Sequence, residues 1–116
     1  MSEDSSVSYK DFKKLDIRVG LIVEAEDLEK SDHLLRLKVD IGEKKPRLII
    51  AGLKGYYTPR QLKNKKVIVL ANLQPRKMMG LESQGMLLAA DVDEKPFLLK
   101  FHKDDVDKIP PGTPIS

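Results

Sequence analysis

The chain has 116 residues, no cysteine, and 21 Lys or Arg residues against 18 Asp or Glu. A chain of this length forms one domain with a single core, and the lack of cysteine excludes disulfides, thiolate zinc sites and a cysteine nucleophile. The sequence contains no apolar run near the ~20 residues of a membrane span and starts with polar, acidic residues unlike a secretory signal, so we expect a cytoplasmic protein without a membrane partner.

The basic residues are concentrated in one window. Between Lys44 and Leu81 there are ten Lys or Arg residues and no Asp or Glu, whereas acidic residues outnumber basic ones by 18 to 11 elsewhere. Basic side chains that neutralise phosphates release condensed counterions, so this segregation indicates a surface for a polyanion. The alternative is a solvated basic face that only keeps the protein soluble. With three Tyr, three Phe and no Trp, we expect base stacking to be secondary.

The spacing of apolar residues predicts a series of short strands. The first two candidates alternate as strands do when one face meets a core, and the fourth and fifth are continuous apolar runs typical of strands covered on both faces. Gly42 and the charged residues after it predict a turn between the second and third strands. The six predicted strands span residues 17–23, 35–41, 47–51, 66–71, 86–90 and 97–101.

One short helix is predicted between the third and fourth strands. Thr58 is a good capping residue, Pro59 suits the first helical position, and the helix should end near Asn64. Short strands, a single helix and no alternation of strands with helices favour an all-β OB-fold, a five-stranded Greek-key barrel, over an SH3-like barrel. We expect one domain over residues 9–116 and a disordered leader over residues 1–8.

The segment of residues 72–90 carries the most specific pattern, NLQPRKMMGLESQGMLLAA. It meets every fixed position of N-L-x-P-x-K-x-x-G-x-x-S-x-G-M and resembles the tRNA-binding domain family. That family occurs as the C-terminal domain or separate beta subunit of methionyl-tRNA synthetases, as a free-standing dimeric structure-specific tRNA-binding protein, and as CsaA-type chaperones. The resemblance covers Asp11 to about Val92, and it implies an OB-fold with tRNA as ligand.

The candidate RNA-binding residues lie mainly in that segment. Pro75 has no N–H for a strand ladder, so we expect Arg76 and Lys77 to sit on a projecting loop and to contact phosphates. The resemblance implies RNA-facing positions at Asn72, Lys77, Ser83 and Met86. Alternatively, Asn72 only satisfies nearby backbone groups, and Met86 belongs to the core.

His33 is a further candidate, at a position where members of the family typically carry lysine. A phosphate contact made by this histidine would weaken as the pH rises through neutrality. A surface histidine without a role is the alternative.

No catalytic chemistry is expected in this chain. Ser83 lacks the glycine spacing of a nucleophile elbow, because Leu81 stands two residues before it. The acidic run around Asp91 lacks the glycine and terminal glutamate of a calcium loop, so a solvated turn is favoured. We therefore predict no cofactor, no metal and no enzymatic activity.

The resemblance implies a structure-specific tRNA-binding module. It would act in trans as an accessory or beta subunit of methionyl-tRNA synthetase, or as a free-standing tRNA-binding protein. The alternative is a CsaA-type export chaperone that binds unfolded polypeptide. We expect a homodimer in which residues 91–116, including Val106, Ile109 and Ile115, supply apolar contacts, unless these residues only complete the barrel.

Overall fold

The computed structural model of the protein describes residues 5–116, and its centre is a five-stranded antiparallel sheet in the strand order β3-β2-β1-β4-β7. Two two-stranded hairpins, β5–β6 and β8–β9, extend from it. In chain order the elements are α1 (Tyr9–Phe12), β1 (Ile17–Asp27), β2 (Leu35–Asp40), β3 (Arg47–Ala51), α2 (Pro59–Leu62), β4 (Lys66–Leu70), β5 (Arg76–Met78), β6 (Leu81–Ser83), β7 (Met86–Leu87), β8 (Ala89–Val92), β9 (Lys95–Leu98) and a 3₁₀ turn (Val106–Lys108).

The sheet curls into a nearly closed barrel, because the segment before β7 reaches across to β3. The N–H of Gln84 donates to the carbonyl of Leu48 at 2.8 Å, and the N–H of Ile50 donates to Oγ of Ser83 at 3.0 Å. The barrel encloses a core of fully buried aliphatic side chains. Its members include Val19, Ile22, Leu35, Leu37, Val39, Ile41, Ile49, Val67 and Val69. The predicted all-β OB-fold is thereby confirmed.

β1 differs from its predicted pattern of strict alternation. Ile22 is fully buried, and Ala25, three positions further along, packs partly buried against the same core cluster. The pairing of β1 with β2 shifts register between Ile22 and Glu24, and this bulge adds a residue that moves the buried face by one position. The strand continues to Asp27, beyond the predicted end at residue 23.

The short helix lies where the sequence predicts it. Oγ1 of Thr58 accepts the N–H of Gln61, and the Gln61 side chain accepts the N–H of Thr58, which completes a capping box. Pro59 occupies the first turn, and Leu62 is buried against the barrel. α2 therefore connects β3 to β4.

The strand predicted at residues 86–90 is wrong as a single element. β7 pairs with β4 for two residues, after which the chain turns away and β8 pairs with β9 instead. The strand predicted at residues 97–101 begins earlier, at Lys95, and ends at Leu98. A two-residue turn at Asp93 and Glu94, both with positive φ, makes this hairpin possible.

The C-terminal segment lies against the barrel, and the first described residues lead into the short helix α1. Ser8, the last residue of the predicted leader, caps α1 by accepting the N–H of Asp11, while residues 1–4 of that leader fall outside the described residues. The C-terminal segment runs along β1: Gly112 donates to the carbonyl of Val19 at 2.8 Å, and Ile115 donates to that of Ile17 at 2.8 Å. This part of residues 91–116 therefore contributes to the barrel.

We expect Gly112→Ala to destabilise the protein by about 2–4 kcal/mol, because Gly112 has a φ of +88° and an added Cβ would lie 2.8 Å from the carbonyl oxygen of Ile41. Gly55→Ala is the matched control, since Gly55 has a φ of +93° but open space around its missing Cβ. Urea unfolding of both variants isolates the packing contribution. Equal losses would show that the C-terminal segment is not held against β2.

Candidate nucleic-acid interface

The motif segment forms a hairpin, and the projecting loop predicted for Arg76 and Lys77 is corrected accordingly. β5 pairs with β6 in the register Arg76 to Ser83, Lys77 to Glu82 and Met78 to Leu81. The turn consists of Met79 and Gly80, both with positive φ, which matches the twist that a two-residue hairpin needs. Pro75 does end pairing with the barrel, but the chain starts a new two-stranded sheet directly after it.

The base of this hairpin is fastened by Arg47 from β3. Its Nη1 donates to the carbonyl of Ala71 and, at 3.1 Å, to that of Gln84, the residues that bracket the hairpin segment. Nε and Nη2 donate to the two carboxylate oxygens of Glu43, each at 2.9 Å. A planar guanidinium suits this geometry, because its donors diverge in one plane toward several acceptors.

Asn72 fastens the same region to the N-terminal segment. Its Oδ1 accepts the N–H of Asp16 at 2.9 Å, and its Nδ2 donates to the carbonyl of Lys14 at 2.7 Å. Asp16 in turn accepts two hydrogen bonds from Arg18, each at 2.9 Å. The amide of Asn72 is thus engaged with protein backbone on both sides.

A cleft of about 230 Å³ lies between the end of β3 and the hairpin. Aliphatic side chains and methionines form most of its walls, and Arg76 is its one charged residue. The lining residues used below are Leu53, Leu73, Gln74, Arg76, Met86 and Ala89. Such a mostly apolar concavity with few polar groups is typical of a ligand site.

Three of the candidate residues meet at this cleft. Arg76 is exposed on its wall, and Met86 is 42% exposed, so Met86 is not a core residue. Ser83 also lines the cleft but is only 5% exposed. The hydroxyl of Ser83 accepts the N–H of Ile50 and donates to the carbonyl of Gly85 at 3.2 Å.

The other three candidates lie around the cleft. Lys77 follows Arg76 on β5 and, by strand alternation, points to the other face of the hairpin. Asn72 lies at the base of the hairpin. His33 is exposed in the loop between β1 and β2, and its carbonyl accepts the N–H of Lys54 at 3.2 Å, close to Gly52 of the cleft lining.

Three basic residues of the window serve the fold itself. Arg47 holds the hairpin base, Nζ of Lys54 donates to the carbonyls of Leu28 and Ser31, and Lys66 donates to that of Val106. Within residues 5–116, no hydrogen bond or ion pair engages the other seven exposed side chains. They are Lys44, Lys45, Arg60, Lys63, Lys65, Arg76 and Lys77.

The free cations form separate groups on the surface. Lys44 and Lys45 share a shallow depression with Leu73 and Pro75, and Leu73 also lines the cleft. This places the two lysines next to the hairpin that carries Arg76. Sequence reasoning did not single out Lys44 and Lys45 as candidates, although their position in the acid-free window was a usable signal.

Two carboxylates near the hairpin base have pKa values below their ordinary range. Hydrogen bonds from Arg18 lower the pKa of Asp16, and hydrogen bonds from Arg47 lower that of Glu43, in both cases against a smaller opposing effect of burial. A carboxylate whose pKa is depressed in the folded state stabilises the protein above its unfolded pKa. That stabilisation is lost as the pH falls through the folded value.

We therefore expect the free energy of unfolding to decline more steeply below about pH 4.3 in the parent protein than in Glu43→Gln, which has no carboxylate to protonate at this position. Urea midpoints measured between about pH 3 and pH 7 test this. Parallel pH profiles would contradict the assigned role of the Glu43 to Arg47 pair.

Residues 5–116 contain no cluster of three or more His, Asp or Glu side chains placed to hold a metal ion. In the same range, no helix is both long enough and apolar enough to cross a bilayer.

A family model and the similar known proteins point to the same family. A family model described as a putative tRNA-binding domain matches residues 17–113. The chain is 59% identical over 85 residues, 73% of its length, to a methionine–tRNA ligase of Methanosarcina mazei, and 45% identical over 115 residues, 99% of its length, to that of Archaeoglobus fulgidus. It spans only 12% and 17% of those two ligases.

Solved structures of similar shape point the same way. A MetRS-related protein from Pyrococcus horikoshii superposes with a TM-score of 0.85 at 32% identity, covering 97% of this chain and 99% of that one. A CsaA chaperone protein from Picrophilus torridus gives 0.82 at 29% identity, covering 96% and 100%. The family match over most of the barrel establishes the relationship, and the chain belongs to the tRNA-binding domain family.

Proposed function

We propose that this protein binds folded tRNA through the β5–β6 hairpin and the adjoining cleft. The observation that carries the proposal is the group of unpaired cations there, with Arg76 and Lys77 on the hairpin and Lys44 and Lys45 beside its base. Because these side chains are exposed and have no partner in residues 5–116, binding a phosphate breaks no internal contact. Arginine can engage a phosphate with two donors, and lysine acts as a point charge.

The remaining motif residues have supporting roles in this proposal. Ser83 and Asn72 hold the hairpin in place, since their polar atoms are already hydrogen-bonded within the protein. Met86 offers an exposed, flexible apolar surface. His33 lies near the Gly52 end of the cleft, in the loop between β1 and β2.

The ligand is recognised by its folded shape. A-form RNA hides its base edges in a deep major groove, so a surface built of Arg, Lys and aliphatic groups contacts phosphates and 2′-hydroxyls more readily than paired bases. The relatives are methionine–tRNA ligases, of which this chain spans a small share. We therefore propose a cytoplasmic accessory module that acts in trans, raising the local tRNA concentration beside a ligase without adding catalytic groups.

A homodimer is part of this proposal, and the surface near β9 supports it. Phe97 is 43% and Leu99 41% exposed, and both line an apolar groove together with Val106. Exposed apolar residues that cluster in this way mark an interaction surface. Sedimentation equilibrium of the parent and of Leu99→Lys tests the proposal: a dimer that becomes a monomer supports it, and a monomeric parent contradicts it.

The chaperone alternative is favoured by one observation, the likeness to the CsaA structure. Equilibrium binding at about 0.15 M salt separates the two functions when folded tRNA, a blunt duplex RNA of equal length and an unfolded polypeptide are compared. Tighter binding of folded tRNA than of both others supports the proposal, whereas a preference for polypeptide would overturn it.

A further inference from the structure

We propose that the cleft between β3 and the hairpin holds one unpaired nucleobase of the RNA. This inference rests on the proposed function and names the part of the ligand that enters the site. The cleft volume of about 230 Å³ is below the ~300–1,000 Å³ of pockets for larger ligands, so it suits a single planar ring system rather than a run of side chains.

The walls of the cleft match the two chemical parts of a nucleotide. Leu53, Leu73 and Met86 provide apolar surfaces for the faces of a base, as apolar side chains do in pockets that accept extruded bases. Gln74 is exposed in the lining, and its side-chain amide makes no hydrogen bond within residues 5–116. An amide offers both a donor and an acceptor to a base edge.

Charge distinguishes a nucleotide from a peptide as occupant. The lining contains no Asp or Glu, and its one charged residue, Arg76, is a cation on the wall. A base in the cleft would bring its phosphate to the rim, where Arg76 lies. An uncharged polypeptide segment would leave Arg76 without a partner.

Two neighbouring alanines of β8 allow a matched test. Ala89 lines the cleft, whereas Ala90 does not, and both are exposed and pair with β9. Leucine at position 89 fills the cleft without changing the charge. We expect Ala89→Leu to lower the affinity for folded tRNA by about 5- to 20-fold. This is the lower part of the range measured when a protein loses one stacked base, because the walls of the cleft are aliphatic and not aromatic.

Four features of the result identify the occupant. Ala90→Leu should bind tRNA as the parent does. The slope of log affinity against log salt should be unchanged in Ala89→Leu, because Arg76 keeps its charge and its exposed position and can still bind a phosphate of the RNA backbone. A blunt duplex RNA without unpaired bases should bind the parent and Ala89→Leu equally. Gln74→Ala, on an exposed loop, should lower tRNA affinity by about 2- to 5-fold, also with an unchanged salt slope.

The outcomes that would overturn the inference differ from the one that would refute the proposed function. Equal tRNA affinities of Ala89→Leu and Ala90→Leu, with matching thermal melting, overturn the inference and leave the proposed function standing. Equal losses on tRNA and on the blunt duplex also overturn it, since the cleft would then contact the RNA backbone. If Ala89→Leu loses affinity for polypeptide but not for tRNA, the cleft belongs to a chaperone function and the inference is overturned. A parent that does not prefer folded tRNA refutes the proposed function itself.

Discussion

Replacing Arg76 and Lys77 together with alanine should lower the affinity for folded tRNA by about 10- to 100-fold at roughly 0.1 M salt. Each side chain is expected to neutralise one phosphate, so the slope of log affinity against log salt should fall by about 2. A fluorescence titration repeated over a range of salt concentrations measures both quantities. The fold should be unaffected, because both side chains are exposed and without partners in residues 5–116.

The control removes the same charge from elsewhere in the basic window. Lys63 and Lys65 are exposed and free as well, but they precede β4, whereas the hairpin follows it. Lys63→Ala with Lys65→Ala should lower the affinity by less than about 3-fold, through the general field alone. Equal effects of the two double variants would reduce the interface to a diffuse basic face.

The second large effect is expected from Arg47→Met, which keeps the apolar stem and removes the guanidinium. The carbonyls of Ala71 and Gln84 and the carboxylate of Glu43 then lose their shared donor. Because Arg47 is 23% exposed and water replaces part of the loss, we expect about 1–3 kcal/mol of destabilisation. The hairpin should also open more often, and tRNA affinity should fall although Arg47 does not contact RNA.

Amide hydrogen exchange identifies this indirect effect, since exchange should accelerate in residues 72–84 more than in β1 and β2. Arg36→Met is the control, because Arg36 pairs with Glu26 at 34% exposure and does not touch the hairpin. It should leave both tRNA affinity and hairpin exchange unchanged. Faster exchange throughout the barrel in Arg47→Met would show a general loss of stability instead of a local role.

The barrel could be predicted because its signals are local. The period-two pattern of residues 35–41 and the helix start at Thr58 and Pro59 each depend on a few neighbouring residues, and both are confirmed. The bulge near Val23 was not predictable, because it arises from the register against β2. The division of residues 86–90 between β7 and β8 likewise depends on distant partners.

The sequence predicted where the candidate site lies in the chain better than it predicted which atoms its residues contact. The motif identifies the hairpin region, but Ser83 and Asn72 proved to have their polar atoms hydrogen-bonded inside the protein. Arg47 is one of the basic residues of the window, but its hydrogen bonds hold the base of the hairpin. Composition cannot separate such structural cations from free ones, because the distinction depends on carbonyls more than twenty residues away in the chain.

The most direct test of the tRNA interface is chemical-shift mapping of the ¹⁵N-labelled protein during titration with folded tRNA. The account predicts that the perturbed amides cluster in β5, β6 and residues 52–54 and 84–87, with smaller changes at Lys44 and Lys45. The amides of α2 and of residues 63–65 should be little affected. Perturbations centred on α2 or on β9, with an unperturbed hairpin, would contradict the account.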